Sequence, residues 1–272
     1  MALVNMRELL KGAAEGGYAV GSFSAGNMEC IRGIIRAAER CRSPVILQVA
    51  EIRLPYSPLP LIGPMMLGAA REASVPVAVH LDHGKSLDVI QKALEIGFTS
   101  VMCDGSELNI AENVRLTREV VRMAEKTGAA VEAEVGRVGR GEDGSDVKEE
   151  IASLEDCLTM DAEGIDALAV GIGNAHGIYA QTPELHYEVL ESAAPRLKSS
   201  LVLHGGSGLT DEQFSKVIAL GIRKVNIATD VFRAASMAMG GSDLFRGIEA
   251  AAEAVSEVVA GYMVRFGSTE RV

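Results

Sequence analysis

Short apolar runs recur along the chain, and each is followed by a polar or glycine-rich loop and then by a segment whose apolar residues have helical spacing. The runs are too short and too uniformly apolar for half-exposed antiparallel strands, and they are typical of strands buried on both faces of a parallel sheet. The predicted strands are Tyr18–Phe23, Pro44–Val49, Val77–Asp82, Ser100–Cys103, Ala130–Val135, Ala167–Gly171, Leu201–His204 and Lys224–Ile227.

The segments between the predicted strands begin with recognisable helix-start signals. Asn5 with Glu8, and Thr210 with Gln213, have the spacing of capping boxes. Strands that alternate with helices indicate right-handed βαβ units, and eight such units favour a closed barrel over an open doubly wound sheet. No linker or shift of composition divides the chain. The sequence therefore predicts an α/β fold, a single-domain (β/α)8 TIM barrel that spans residues 1–272.

The composition fits a globular protein and argues against some classes of binding partner. Hydrophobic residues make up 48% of the 272 residues and charged residues 23%, which argues against disorder. The formal net charge of −11 argues against nucleic acid and membrane surfaces, because both select for basic patches. The amino-terminal segment lacks the apolar stretch of a signal peptide, no apolar run is long enough to span a bilayer, and the four cysteines form no C-x-x-C pair. A cytoplasmic protein is the expectation.

Three of the five histidines lie at the ends of predicted strands. His83 comes after strand three, His176 lies just beyond strand six, and His204 ends strand seven. Side chains at the carboxyl ends of barrel strands converge on one mouth, where the active site lies. Three neutral imidazoles with an open fourth position are typical of catalytic zinc sites, so the pattern predicts one bound divalent metal ion. His80, within strand three, is expected to pack or to support a ligand, and His186 to be solvated.

An acidic residue, Asp82, immediately precedes His83. Neighbouring residues on a strand point to opposite sides, so both side chains reach the mouth only if the strand ends or bends there, which Gly84 would permit. A carboxylate beside a metal is either a general acid–base or a group that orients a ligand.

Two further loops carry a phosphate signal. HGGSG follows strand seven and NIATD follows strand eight, and the loops after these two strands form the common phosphate site of this barrel. Glycines let backbone N–H groups approach an anion, and Ser207 and Thr229 add hydroxyl donors. Either loop alone could be an ordinary turn, but together they predict an anionic substrate.

The segments HLDHG, GNAHGIY, LVLHGGSG and KVNIATD occur in the same order as in class II, metal-dependent ketose-bisphosphate aldolases. The chain resembles this family from about Tyr18 to Asp230, including EAEVG and the GED that follows it, and its length is closer to the tagatose-bisphosphate type. The resemblance implies cleavage of a ketose (bis)phosphate to dihydroxyacetone phosphate and an aldehyde through a zinc-stabilised enediolate. It also implies a homodimer or homotetramer. The implied cofactor is Zn²⁺ or another divalent ion, and a monovalent cation can bind as well.

The resemblance also implies roles for individual residues. Asp82 matches the catalytic acid–base, and Glu142 matches the group of the family's flexible loop that moves a proton at the triose carbon. Glu134 matches a carboxylate close to the metal. The zinc ligands match His83, His176 and His204. The positions that hold dihydroxyacetone phosphate or support the site match Gly177, Gly205, Ser207, Asn226, Thr229 and Asp104.

The chain departs from the family pattern where the aldehyde would bind. Ala50 follows strand two where the family usually has a serine, and Ala180 follows HGIY where many members have a phosphate-binding lysine. Arg140 stands where glycine is common. We expect Arg53 or Arg140 to contact an anionic group of the substrate, since guanidinium suits phosphate, carboxylate and sulfonate. The alternative is that both arginines are solvated.

Other classes of protein remain open at this point. A barrel metallohydrolase would use metal-bound water as nucleophile, but such barrels usually add an H-x-H pair on an early strand, which this chain lacks. A non-catalytic assembly subunit would be expected to lose metal ligands, yet all three histidines remain. The metal-dependent reaction needs no lysine Schiff base, and no predicted strand offers a clearly buried lysine for one.

Overall fold

The computed structural model describes residues 2–139, 148–240 and 243–272. Eight parallel strands close into a barrel in chain order, and β1 pairs with both β2 and β8. The strands are β1 (Val20–Ser24), β2 (Val45–Ala50), β3 (Val77–Gly84), β4 (Ser100–Cys103), β5 (Ala130–Val135), β6 (Ala167–Val170), β7 (Ser200–Leu203) and β8 (Ile222–Ile227).

Helices alternate with the strands and cover the outside of the barrel. A 3-10 turn, Glu51–Arg53, follows β2 directly. The helices are α1 (Met6–Gly16), α2 (Met28–Cys41), α3 (Leu59–Glu72), α4 (Leu87–Ile96), α5 (Ile110–Glu125), α6 (Leu154–Asp161), α7 (Tyr187–Ala193), α8 (Asp211–Ala219), α9 (Thr229–Ala238) and α10 (Leu244–Arg265).

The predicted (β/α)8 barrel is confirmed. Every predicted strand begins and ends within two residues of the corresponding observed strand. The two predicted capping boxes are also present. The Asn5 side chain accepts from the backbone of α1 while Glu8 accepts from the backbone of Asn5, and Thr210 and Gln213 do the same for α8. Among the described residues, no helix is long and apolar enough to cross a membrane.

The barrel interior changes from apolar to polar toward the carboxyl ends of the strands. At the amino-terminal end, Val20, Ile46 and Val202 pack with Met6 and Leu10 of α1, which closes that end. Further along, polar side chains occupy alternate strand positions. The buried polar residues of the strands and of the position after β7 include Ser22, Ser24, Gln48, His80, Asp82, Ser100, Glu132, Glu134, His204, Lys224 and Asn226. The fold therefore collects its chemically active groups at the carboxyl end of the barrel.

Candidate metal centre

The three predicted ligands converge at the carboxyl end of the barrel. His83 lies at the end of β3, His204 follows β7 directly, and His176 lies in the loop after β6. Their ring centroids are 4.6 Å apart for His83 and His204, 5.0 Å for His83 and His176, and 6.0 Å for His176 and His204. One nitrogen from each ring lies within 4.8 Å of the others. The structure thus brings together three imidazoles in the manner of a metal site.

A bend in β3 lets two consecutive residues reach this site. The pairing of β3 with β4 shifts between Leu81 and Gly84, and His83 has a φ of +44°. Residues other than glycine rarely adopt this left-handed backbone conformation, and such strain is characteristic of functional positions. A Cβ on Gly84 would lie 2.5 Å from the carbonyl oxygen of Met102, so only glycine fits there. The bend predicted from Gly84 is present, and Asp82 and His83 both reach the mouth.

Carboxylates outside the histidine cluster fix which nitrogen each ring presents. Nδ1 of His83 lies 2.9 Å from Oδ2 of Asp104, which leaves Nε2 for a metal. Nε2 of His204 lies 2.9 Å from Oε1 of Glu132, which leaves Nδ1. The two remaining nitrogens face each other at 3.0 Å. Carboxylate–histidine pairs of this kind set the tautomer and the direction of metal-ligating rings. Asp104, expected to hold the triose phosphate or to support the site, lies here against His83.

Glu134 is a buried carboxyl group beside the imidazoles. Its Oε2 lies 3.6 Å from Nδ1 of His204 and has no hydrogen-bond partner among the described residues. Burial, followed by the negative charge of Asp104, raises the pKa of Glu134 to about 8. An unpartnered carboxylate oxygen that faces imidazole nitrogens fits a divalent cation, which would neutralise the charge. Burial lowers the pKa of His176 and His204, which keeps both imidazoles neutral and able to bind a metal.

Asp82 is fully buried next to the histidines and is held by two amides. Its Oδ2 accepts a hydrogen bond of 3.0 Å from Nε2 of Gln48, and its Oδ1 accepts one of 3.0 Å from Nδ2 of Asn226. Two donors leave the carboxylate with a defined orientation and with further lone pairs that face the site. This arrangement suits a group that exchanges a proton with a bound substrate.

The loops after β6, β7 and β8 contact one another beside the histidines. Gly205 has a φ of +62°, and a Cβ there would lie 2.2 Å from the carbonyl oxygen of Ala175 in the β6 loop. Tyr179 bridges the same two loops, since its hydroxyl accepts from Ala175 N at 2.9 Å and donates to Gly205 O at 2.9 Å. Ser207 is buried and its Oγ accepts from Asp230 N at 3.4 Å, while Thr229 is the first residue of α9. Backbone turns and a helix amino terminus at this point suit an anion.

The aldehyde-end predictions are only partly within the described residues. Arg53 lies in the 3-10 turn after β2, and its guanidinium carbon is 5.7 Å from the centre of the Phe232 ring. It lines a cavity of about 460 Å³ together with Asn27 and Ser57. Arg140 and Glu142 lie outside the described residues. Arg53 is half-buried, and its contact with an anionic group of the substrate stays a prediction.

The expectation that no strand carries a buried lysine is wrong. Lys224 on β8 is fully buried, and its Nζ lies 2.8 Å from Oε2 of Glu132 on β5. These strands are not neighbours in the sheet, so both side chains must lie inside the barrel. The sequence does not reveal this pair, because each apolar run predicts a uniformly apolar strand. His80 is buried within β3 as expected, and the side chain of His186 is partly open to solvent beside Glu188.

Comparison with known proteins agrees with this geometry. The model of the family described as fructose-bisphosphate aldolase class-II matches residues 4–271. A fructose-bisphosphate aldolase of Streptococcus pyogenes serotype M1 is 42% identical over 237 residues, which cover 85% of this chain and 80% of that protein. A 6-phospho-5-dehydro-2-deoxy-D-gluconate aldolase of Halalkalibacterium halodurans is 40% identical over 240 residues, 86% of this chain and 83% of that protein.

The likeness extends to experimental structures. The crystal structure of the YdjI aldolase from Escherichia coli K12 superimposes with a TM-score of 0.90 at 33% sequence identity and covers 99% of both chains. A metallohydrolase and a non-catalytic subunit are therefore not favoured. The chain belongs to the class-II fructose-bisphosphate aldolase family and is a metal-dependent carbon–carbon lyase.

Proposed function

We propose that residues 1–272 form one catalytic domain, a zinc-dependent aldolase that reversibly cleaves a ketose bisphosphate to dihydroxyacetone phosphate and an aldehyde. The observation that carries the proposal is the convergence of three histidine nitrogens within 4.8 Å beside the buried Asp82. Family membership supports the reaction type. A homodimer or homotetramer and a cytoplasmic location stay predictions.

The ligands of the metal are His83, His176 and His204, with Glu134 as a further donor. Nitrogen-rich sets of this kind suit zinc, although other divalent ions bind them too. A divalent cation held there supplies Lewis-acid polarisation of the ketose carbonyl. The protein contributes the direction of each ring, because Asp104 and Glu132 hold the nitrogens that face away from the metal.

Asp82 is the acid–base group at the carbon–carbon bond. During cleavage it takes the proton from the hydroxyl of the departing aldehyde, and in condensation it returns that proton. Its two amide donors, from Gln48 and Asn226, orient it for this transfer. Glu142 exchanges a proton with the triose carbon. This residue lies outside the described residues, so its role rests on the family resemblance.

The triose phosphate lies in the cradle formed by the loops after β6, β7 and β8. Gly177 and Gly205 have positive φ values of 86° and 62°, which open their backbone toward a ligand. Ser207 and Thr229 offer hydroxyl groups, and the amino terminus of α9 offers N–H groups to a phosphate. Asn226 contacts the substrate from β8, next to Asp82.

Removing the metal is expected to abolish cleavage, and adding Zn²⁺ is expected to restore it, because the carbonyl is then again polarised. The measurement is release of dihydroxyacetone phosphate from fructose 1,6-bisphosphate and from tagatose 1,6-bisphosphate, before and after chelation. Thermal unfolding of the chelated protein verifies that it stays folded. An enzyme that keeps full activity after its metal content has fallen to zero would contradict the proposal.

At the aldehyde end, we propose that Arg53 binds the anionic group of the substrate. Arg53→Ala is expected to lower kcat/KM for fructose 1,6-bisphosphate by about 10–100-fold, since hydrogen bonds between charged groups contribute about 1.5–3 kcal/mol. Fructose 1-phosphate, whose aldehyde half is uncharged, should be affected far less. The control is Arg71→Ala, which removes an exposed arginine of α3. Equal losses for both substrates would remove Arg53 from the binding site.

A further inference from the structure

A buried ammonium group lies beneath the metal site, and the mechanism above does not use it. Lys224 is 0% exposed and is among the largest fully buried side chains. Taking a charge out of water is costly, and a methionine of similar length would fill the same space without that cost. The amino-terminal end of the barrel interior is filled by apolar side chains. The lysine must therefore contribute something that an apolar residue does not.

One contact of Lys224 leads to the metal ligands. Its Nζ lies 2.8 Å from Oε2 and 3.1 Å from Oε1 of Glu132. Oε1 of Glu132 in turn lies 2.9 Å from Nε2 of His204. A carboxylate only accepts hydrogen bonds, so Nε2 carries the proton and Nδ1 keeps its lone pair for the metal. Lys224 holds the carboxylate that makes this choice.

The other contact leads to the acid–base residue. Nζ of Lys224 lies 2.7 Å from Oδ1 of Asn226. An ammonium only donates, so the amide of Asn226 must turn its oxygen to Lys224 and its NH₂ group to Asp82, whose Oδ1 is 3.0 Å away. The reversed amide would place two donors against each other and remove a donor from Asp82. The ammonium group and the carboxylate of Asp82 therefore hold the amide of Asn226 in the same direction, one from each side.

We propose that Lys224 is a positioning residue that orients His204 through Glu132 and Asp82 through Asn226, and so aligns the metal with the acid–base group. The inference rests on the proposed aldolase function, but it concerns the assembly of the site and not the identity of the substrate. The competing explanation is that Lys224 only balances the charge of Glu132 so that the barrel can fold.

A pair of variants distinguishes the two explanations. Lys224→Met removes the ammonium and leaves Glu132 without its cation, whereas the double variant Lys224→Met/Glu132→Gln removes both charges. The amide oxygen introduced by Glu132→Gln can still accept from Nε2 of His204, but Oδ1 of Asn226 then has no donor, and only Asp82 holds that amide. Lys92→Met, at an exposed position of α4, is the matched control.

The measurements are thermal unfolding of the metal-free proteins, Co²⁺ affinity by competition with a chelator, the visible spectrum of bound Co²⁺, and kcat and KM for the bisphosphate that wild type cleaves. Lys224→Met is expected to weaken Co²⁺ binding and to lower kcat by about 10–100-fold each, as is usual for partners of metal ligands. The double variant should regain stability and Co²⁺ affinity while its kcat stays low. The control should match wild type in every measurement.

Any of three results would overturn the proposal. A double variant with wild-type kcat would reduce Lys224 to charge balance, and one that fails to fold despite its balanced charge would make the pair a folding requirement. Wild-type kcat and Co²⁺ spectrum in Lys224→Met would overturn it directly. Co²⁺ binding is measured without substrate, so failure of the proposed reaction shows in wild type and remains separable from failure of this inference.

Discussion

Replacing His204 by alanine is expected to lower kcat/KM for aldol cleavage on the order of 10³-fold or more. The ring is fully buried, and it lies within reach of both His83 and His176. Loss of one of three imidazoles weakens metal binding, and Lewis-acid stabilisation of the developing charge is worth several kcal/mol, at about 1.4 kcal/mol for each factor of ten. Steady-state cleavage and metal content, measured on the same preparation, check this expectation.

The chain offers a matched control for this change. The side chain of His186 is 44% exposed, directly precedes α7 and pairs with Glu188, so His186→Ala should keep wild-type activity and metal content. Removal of His204 also leaves Oε1 of Glu132 without its histidine partner inside the barrel, so thermal unfolding must be measured on both variants. A His204→Ala protein that binds zinc stoichiometrically and cleaves at the wild-type rate would contradict the metal assignment.

The fold could be predicted from sequence because its signals are local and repeated. Each βα unit carries its own apolar run, and α1 and α8 each begin with a capping box, so the eight units can be counted without knowledge of their contacts. Closure of the barrel then follows from the number of units. Strand ends were less well defined. β3 continues to Gly84 because the bend at His83 allows the pairing with β4 to resume, which no periodicity reveals.

The site could be predicted only where one residue type carried the signal. Histidines at strand ends indicate the metal, whereas Glu132 and Lys224 lie among apolar residues inside their strands and suggest no ligand role by themselves. The signal in these two strands is an alternation of polar and apolar residues, with a period of two. Polar residues alternate in AVEAEV and RKVNIA, and in a barrel the alternate positions face the interior. Pairing across the barrel, from β8 to β5, depends on closure and cannot be read from either strand alone.

The environments of Glu134 and Asp104 are likewise not evident from the sequence. The family resemblance implies a role for both, but their distinct environments emerge only in three dimensions. Burial opposes ionisation of Asp104, but its hydrogen bonds from His83 and Ser106 hold its pKa well below the usual range. Glu134 has no partner of this kind at Oε2, and its pKa rises instead. Two carboxylates next to one metal site are thus expected to differ in protonation before the metal binds.

Replacing Asp82 by asparagine is expected to lower kcat by about 10²–10⁴-fold while the metal stays bound, because the amide cannot exchange the proton of the aldehyde hydroxyl. Asparagine nearly preserves the shape, so the three histidines keep their places. The change also has a structural cost. Gln48 and Asn226 both donate to Asp82, and the single oxygen of an amide leaves one donor facing an NH₂ group, which costs about 1–3 kcal/mol.

Separate measurements distinguish the loss of proton transfer in Asp82→Asn from its structural cost. Metal content and Co²⁺ binding should match wild type, thermal unfolding should report the lost hydrogen bond, and kcat should fall far more than KM changes. Asp88→Asn, at an exposed position in the first turn of α4, controls for a change of one negative charge near the site and should leave kcat unaltered. If Asp82 only oriented a ligand, its loss would weaken metal binding by about 10–100-fold and excess metal would restore kcat. Restoration by excess Zn²⁺ would therefore reassign Asp82 from proton transfer to support of His83, whereas a low kcat at full metal occupancy identifies it as the acid–base group.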